Sequence, residues 1–347
     1  MEVSKQRTEY VDIAKGLAML AVVWGHILTA GWSFVLVYTF DIPLFFFISG
    51  MMFKKEKYRT FWSFFKNRVR TLLLPYVIFS VITWGVWVAY NLAFHNNVNI
   101  WKPLLQTVIA QGSGKYMIHD IPLWFVTCLF VVEMLYYFIS KCHFAVNLVI
   151  SAAMAAAGYF MLYNNFIDFD FTKLPWNIEV AMSAMLFYAV GNLFVMRFKV
   201  SWVSEFTKKH KALSWLAWVV STALMTVLGQ INGHVTMGSN DLGKSVFLFY
   251  IDAFFGIISV LTFAGLAEGL KPMKCISWIG RNSFNMMAIH VPVQGFLCVI
   301  LARLVHTSSD AISESMGYSG IVFIFTLAFC IPIMILINKF KGLVKKA

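Results

Sequence analysis

Apolar stretches as long as a membrane span recur along this chain, separated by short polar or charged connections. A span needs ~20 predominantly apolar residues. Such stretches fall near residues 12–32, 34–53, 71–94, 121–140, 144–163, 178–197, 212–230, 246–268, 284–304 and 319–338. No soluble fold suits them. Only 13% of the 347 residues are charged, 60% are hydrophobic and the mean hydropathy is +0.73. A soluble domain is ~25% charged, and a large part of its surface must meet water. The expected fold is therefore all-α: a polytopic transmembrane helix bundle of about ten spans. It forms one domain over residues 1–347, without room for a sizeable soluble unit.

The net charge of +12 could point to nucleic acid, but its placement points to the membrane. Lys and Arg collect in cytoplasmic loops of membrane proteins. With the N-terminus cytoplasmic, 23 of the 28 Lys and Arg fall on that side. The other side holds Lys102, Lys115, Lys173, Lys244 and Arg303. This bias predicts both termini in the cytoplasm and an even number of spans. The start, MEVSKQRTEYVDIAKG, is polar, and no small-residue cleavage site follows the first apolar run. That run is expected to stay as the first span. The five cysteines form no C-x-x-C pair and read as core thiols, with no metal site implied. The longest connection, 95–120, is expected to carry a short interfacial helix from Trp101 to Ala110. The second span holds Asp41 and Pro43 and is expected to break or kink there.

The first span is the most informative. In Asp12-Ile-Ala-Lys15-Gly-Leu-Ala-Met-Leu-Ala-Val-Val-Trp-Gly-His26, the residues Asp12, Lys15, Met19, Val22 and His26 share one helix face. His26 lies about 16 Å beyond Lys15, at ~1.5 Å per residue. Gly16 and Gly25 would admit a close neighbour. Ionisable groups inside a span usually face a bundle interior or a water-filled cavity. A neutral histidine there suits a general base. A structural histidine bonded to a neighbouring helix is the competing interpretation.

Residues 54–70, KKEKYRTFWSFFKNRVR, are mostly positive-inside charge, but Arg68 and Arg70 stand at the membrane entrance. Guanidinium groups bind phosphate bidentately and stay charged when partly buried, so this pair is a candidate site for a nucleotide-like cofactor. Asp41, Glu133, Asp252 and His290 lie within spans. Together they suggest a polar cavity, and Asp41, Glu133 and His290 are its candidate substrate-facing groups. No H-E-x-x-H, P-loop or G-x-S-x-G pattern occurs.

The stretch RTEYVDIAKGLAMLAVVWGH resembles the opening of the membrane acyltransferase-3 family, which carries a basic residue, ten residues of any kind and a histidine. Lys15 and His26 match that spacing. DIPLFFFISGMMF resembles the family's second-helix signature, and RVRTLLLPY its arginine-bearing third-helix entrance. PLWFVTCLFVVE and GRNSFNMMAIH resemble later landmarks. In one departure, the family's arginines are usually separated by two residues, whereas Arg68 and Arg70 are separated by one, with Thr71 at the expected place. The resemblance implies O-acylation, commonly O-acetylation, of surface carbohydrates in a bacterial plasma membrane. It implies acyl-CoA as donor, commonly acetyl-CoA, with no metal. His26 would be catalytic, supported by Asp12 and Lys15, and Arg68 and Arg70 would hold the donor. The partners would be acyl-CoA, a carbohydrate acceptor and lipid, and not nucleic acid. A transporter or flippase of glycan or lipid-linked sugar is the alternative that the same buried polar groups allow.

Overall fold

A computed structural model describes residues 8–29, 31–112, 117–163 and 174–344. Lys5, Arg7, Lys115, Lys173, Lys345 and Lys346, used in the charge count, lie outside the described residues. Among the described residues every regular element is helical, and the one β feature is an isolated bridge between Thr236 and Asp241.

The first half comprises α1 (Glu9–Gly25), α2 (Trp32–Met52), α3 (Phe61–Arg68), α4 (Leu74–Ala93), α5 (Trp101–Ile109), α6 (Trp124–Ile139) and α7 (Phe144–Tyr163). The second comprises α8 (Ile178–Arg197), α9 (Trp202–Lys209), α10 (Lys211–Asn232), α11 (Val246–Leu266), α12 (Met273–Arg281), α13 (Ser283–Leu304), α14 (Ser309–Glu314) and α15 (Met316–Val344). Nine helical segments among the described residues are long and apolar enough to cross a membrane. At 17 residues α1 is shorter, yet within the ~17–25 that a span requires. The expected total of about ten counts α1 as the first span.

Two expectations need adjusting. The third span begins earlier than residue 71, because a π-helical turn, Val69–Leu73, splices α3 onto α4 into one segment, Phe61–Ala93. The second span is not broken at Pro43, since α2 runs through it. The Asp41 side chain accepts from the backbone N–H of Ile42 at 2.6 Å, next to the proline. The short helix expected around Trp101 is α5, which ends at Ala110 in a left-handed conformation.

α1 packs on α2, α11, α12 and α13. Its crossing with α12 is a backbone contact. A Cβ on Gly280 would stand 1.8 Å from the Asp12 carbonyl oxygen, and one on Gly16 would stand 2.1 Å from that of Ile276. Small residues at such crossings let helices associate through close packing in lipid. Gly280→Val should therefore lower thermal stability in detergent by about 1–3 kcal/mol or more, the usual cost of overpacking. An unchanged melting temperature would show that the crossing yields freely.

The start of α1 is fastened through Glu268, just past α11. Its carboxylate accepts from the Tyr10 backbone N–H at 3.4 Å, from Lys208 at 2.8 Å and from the Ser204 hydroxyl. Burial pushes the Glu268 carboxyl up, but Lys208 and Ser204 outweigh it and hold it below the usual carboxylate value.

Candidate active site

Lys15, Met19, Val22 and His26, spaced four, three and four apart, share one stripe of α1. All four line a cavity of about 170 Å³. A single buried water needs ~10–15 Å³, so this space admits an elongated ligand. The opposite wall is mostly apolar, with Ile42 and Phe45 of α2, Leu72 of the π turn, Trp124 and Phe125 of α6, and Met287 of α13, and it carries two hydroxyl residues, Ser49 of α2 and Ser283 of α13. The cavity thus joins a lysine near one end of α1 to a histidine at the other.

His26 is the residue at which α1 stops. Gly25 faces the ring of Tyr38, where a Cβ would come within 2.6 Å, and the Tyr38 hydroxyl donates to the Gly25 carbonyl at 3.3 Å. Behind His26 stands His290 of α13, with ring centroids 5.2 Å apart and planes 58° apart. His290 Nδ1 lies 3.0 Å from the Met286 carbonyl and 2.9 Å from that of Met287. One turn further along α13, the Gln294 side-chain amide donates to the Val23 carbonyl of α1 at 2.8 Å.

The remaining sequence candidates are arranged differently. Asp12 is buried beside the cavity rather than in its wall, with Arg281 Nη1 at 4.0 Å. It lies too far along α1 to touch His26. Arg68 turns inward, its Nε 2.8 Å from Glu133 Oε2, while the Tyr188 hydroxyl donates to Glu133 Oε1 at 3.3 Å. The Arg68 guanidinium also lies over the Phe64 ring, 5.2 Å from its centroid. Leu72 and Leu129, each four residues from one member of this ion pair, line the cavity. The pair therefore braces one of its walls. Arg70 is exposed. Residues two apart on a helix point ~200° away from each other, so Arg68 and Arg70 do not converge. Thr71, in the family's usual second position, instead donates to the Asn67 carbonyl at 2.9 Å. Asp41 and Asp252 are buried on α2 and α11, and neither lines the cavity. Among the described residues no group of three His, Cys, Asp or Glu is placed to hold a metal ion.

Two features escaped the sequence analysis. Gln294 carried no charge and no motif, yet it ties α13 to the end of α1. The tetrapeptide Asp-Ile-Pro-Leu occurs twice, at 41–44 and 120–123, each time followed by two aromatic residues. The two copies meet across the cavity, one through Ile42 and Phe45, the other through Pro122, Trp124 and Phe125. The repeat was the available signal. The second copy follows His119, whose imidazole pKa burial lowers to about 4 and whose Nε2 lies 3.5 Å from the Thr107 hydroxyl.

A family model described as an acyltransferase domain matches residues 8–335. No curated protein and no solved structure matches the chain.

Proposed function

Because the chain belongs to the acyltransferase-3 family, we propose that it moves an acyl group, acetyl in the simplest case, from acyl-CoA to a hydroxyl of a carbohydrate or glycan precursor. That it is a multi-pass membrane acyltransferase follows from the family and from the apolar helices. The observation that carries the finer assignment is the narrow cavity from Lys15 to His26. Its length and mostly apolar walls suit the thin arm that ends in the CoA thioester, and Lys15 stands where an anionic donor group would begin. The bias of Lys and Arg supports a cytoplasmic start of α1 and cytoplasmic termini, on the side where acyl-CoA is found, with His26 towards the opposite face. On this reading the protein works in a bacterial plasma membrane and its product belongs to the cell envelope.

In the proposed reaction His26 takes the proton of the acceptor hydroxyl, and the oxygen attacks the thioester carbonyl carbon. The tetrahedral intermediate collapses with cleavage of the carbon–sulfur bond, and the proton passes from His26 to the departing CoA sulfur. Asp12, held near Arg281, and Lys15 serve the donor end of the cavity rather than the imidazole. Arg68, anchored by Glu133, offers its terminal nitrogens to a donor phosphate, with Arg70 at the surface nearby. The purified full-length protein, given radiolabelled acetyl-CoA and a membrane extract, is expected to place label in a glycan fraction. Failure to label any product with any acyl-CoA would overturn this assignment and favour glycan transport.

A further inference from the structure

We infer that His290 and Gln294 are positioning residues for His26: His290 sets its tautomer, and Gln294 sets where α1 ends. This rests on the proposal that His26 handles the acceptor proton. Nδ1 of His290 faces two main-chain carbonyls, at 3.0 and 2.9 Å. Carbonyls only accept, so Nδ1 carries the hydrogen, and in the neutral ring Nε2 is left with a lone pair. That Nε2 is buried and makes no hydrogen bond with any described residue. An unpaired buried acceptor costs about 1–3 kcal/mol, so its retention calls for a partner. The neighbouring ring is His26, tilted rather than stacked on His290. An N–H of His26 directed at Nε2 leaves the other His26 nitrogen with its lone pair for the cavity, the form that a base requires. A carboxylate orients histidine in the same way in hydrolytic triads. Here a neutral imidazole does so at a depth where a carboxylate would be costly. The open geometry is that of a catalytic contact which tightens when substrate arrives.

Gln294 supplies the second constraint. In a continuing helix the Val23 carbonyl would accept from the Ile27 N–H, but that N–H bonds Trp24 instead, at 3.1 Å. Gln294 takes the released carbonyl at 2.8 Å and so pins the helix end three residues before His26. Pro292 lies between His290 and Gln294 on α13. Both contacts therefore reach α1 from a segment whose own hydrogen-bond ladder is interrupted.

The test uses the full-length protein in membranes, with acetyl-CoA as donor, membrane extract as acceptor source and CoA thiol release as readout. His290→Phe fills the space but cannot accept a hydrogen bond. It is expected to lower kcat roughly 10²-fold, to leave KM for acetyl-CoA unchanged and to move the acid limb of the pH–rate profile. His290→Gln, which keeps an acceptor, is expected to restore most of the rate and the wild-type limb. Gln294→Leu is expected to lower kcat at constant donor KM. A nitrogen-15 histidine spectrum of the wild type, minus that of His290→Gln, is expected to show a ring protonated at Nδ1 and bare at Nε2. That readout needs no activity and decides the matter if His290→Phe folds poorly. A proton on Nε2, or a His290→Phe protein with wild-type kcat and pH profile, would overturn the inference. A fully active His26→Ala protein would instead sink the proposal that His26 is the base.

Discussion

Replacing His26 with alanine is expected to lower acyl transfer by about 10²–10⁴-fold, the range that a general base contributes, while the protein still inserts and keeps its helical signal. The two halves of this result have separate causes. The rate falls because His26 is the titratable side chain at the far end of the cavity that begins at Lys15. The fold survives because His26 lies at the end of α1 and is only half-buried, with its ring against the cavity. The deep packing of α1 comes from Tyr10, Ile13, Ala14, Ala18 and Val23, which the substitution leaves alone. A wild-type rate from a well-folded His26→Ala protein would remove His26 from the chemistry. If the imidazole instead carries the acyl group covalently, the variant is equally slow, but the wild type shows a burst of CoA release before steady product formation. Rapid-mixing measurements of CoA thiol separate the two roles.

The bundle was legible in the sequence because lipid removes ambiguity. Backbone groups within a bilayer must be satisfied internally, so an apolar stretch of span length is a helix, and span boundaries follow from the charged connections. The shared face of Lys15, Met19, Val22 and His26 was legible for a similar reason, since helical spacing alone predicts it and the cavity contains it. Asp12 belongs to the same arithmetic but faces Arg281, because α12 crosses so closely at Gly280 that the first turns of α1 are occupied. Contacts between distant helices were not legible. Nothing in the local pattern pairs Arg68 with Glu133, or Gln294 with Val23, as both depend on which helices become neighbours. The π turn at Val69–Leu73 was hidden as well.

Arg68→Ala is expected to destabilise the protein by about 3–5 kcal/mol, the usual cost of stripping one partner from a buried ion pair. Arg68 and Glu133 are only 19% and 6% exposed at their side chains, so little solvent is available to replace the missing charge. Most of the cost therefore lies in the abandoned carboxylate, not in the lost attraction. It follows that Arg68→Met with Glu133→Leu should recover most of the stability, because well-packed apolar residues commonly replace a buried pair without net loss. The double variant also isolates the binding role. Glu133 engages Arg68 through Nε, which leaves the terminal nitrogens of the guanidinium for phosphate. Thermal melts of the double variant should approach the wild type while its KM for acetyl-CoA stays raised. A KM that recovers together with stability would make Arg68 purely a brace for the cavity wall. Donor affinity would then have to come from Lys15 and from exposed cations such as Arg70. The two outcomes differ in the same preparation, because a lost brace is repaired by volume whereas a lost phosphate contact is repaired only by charge.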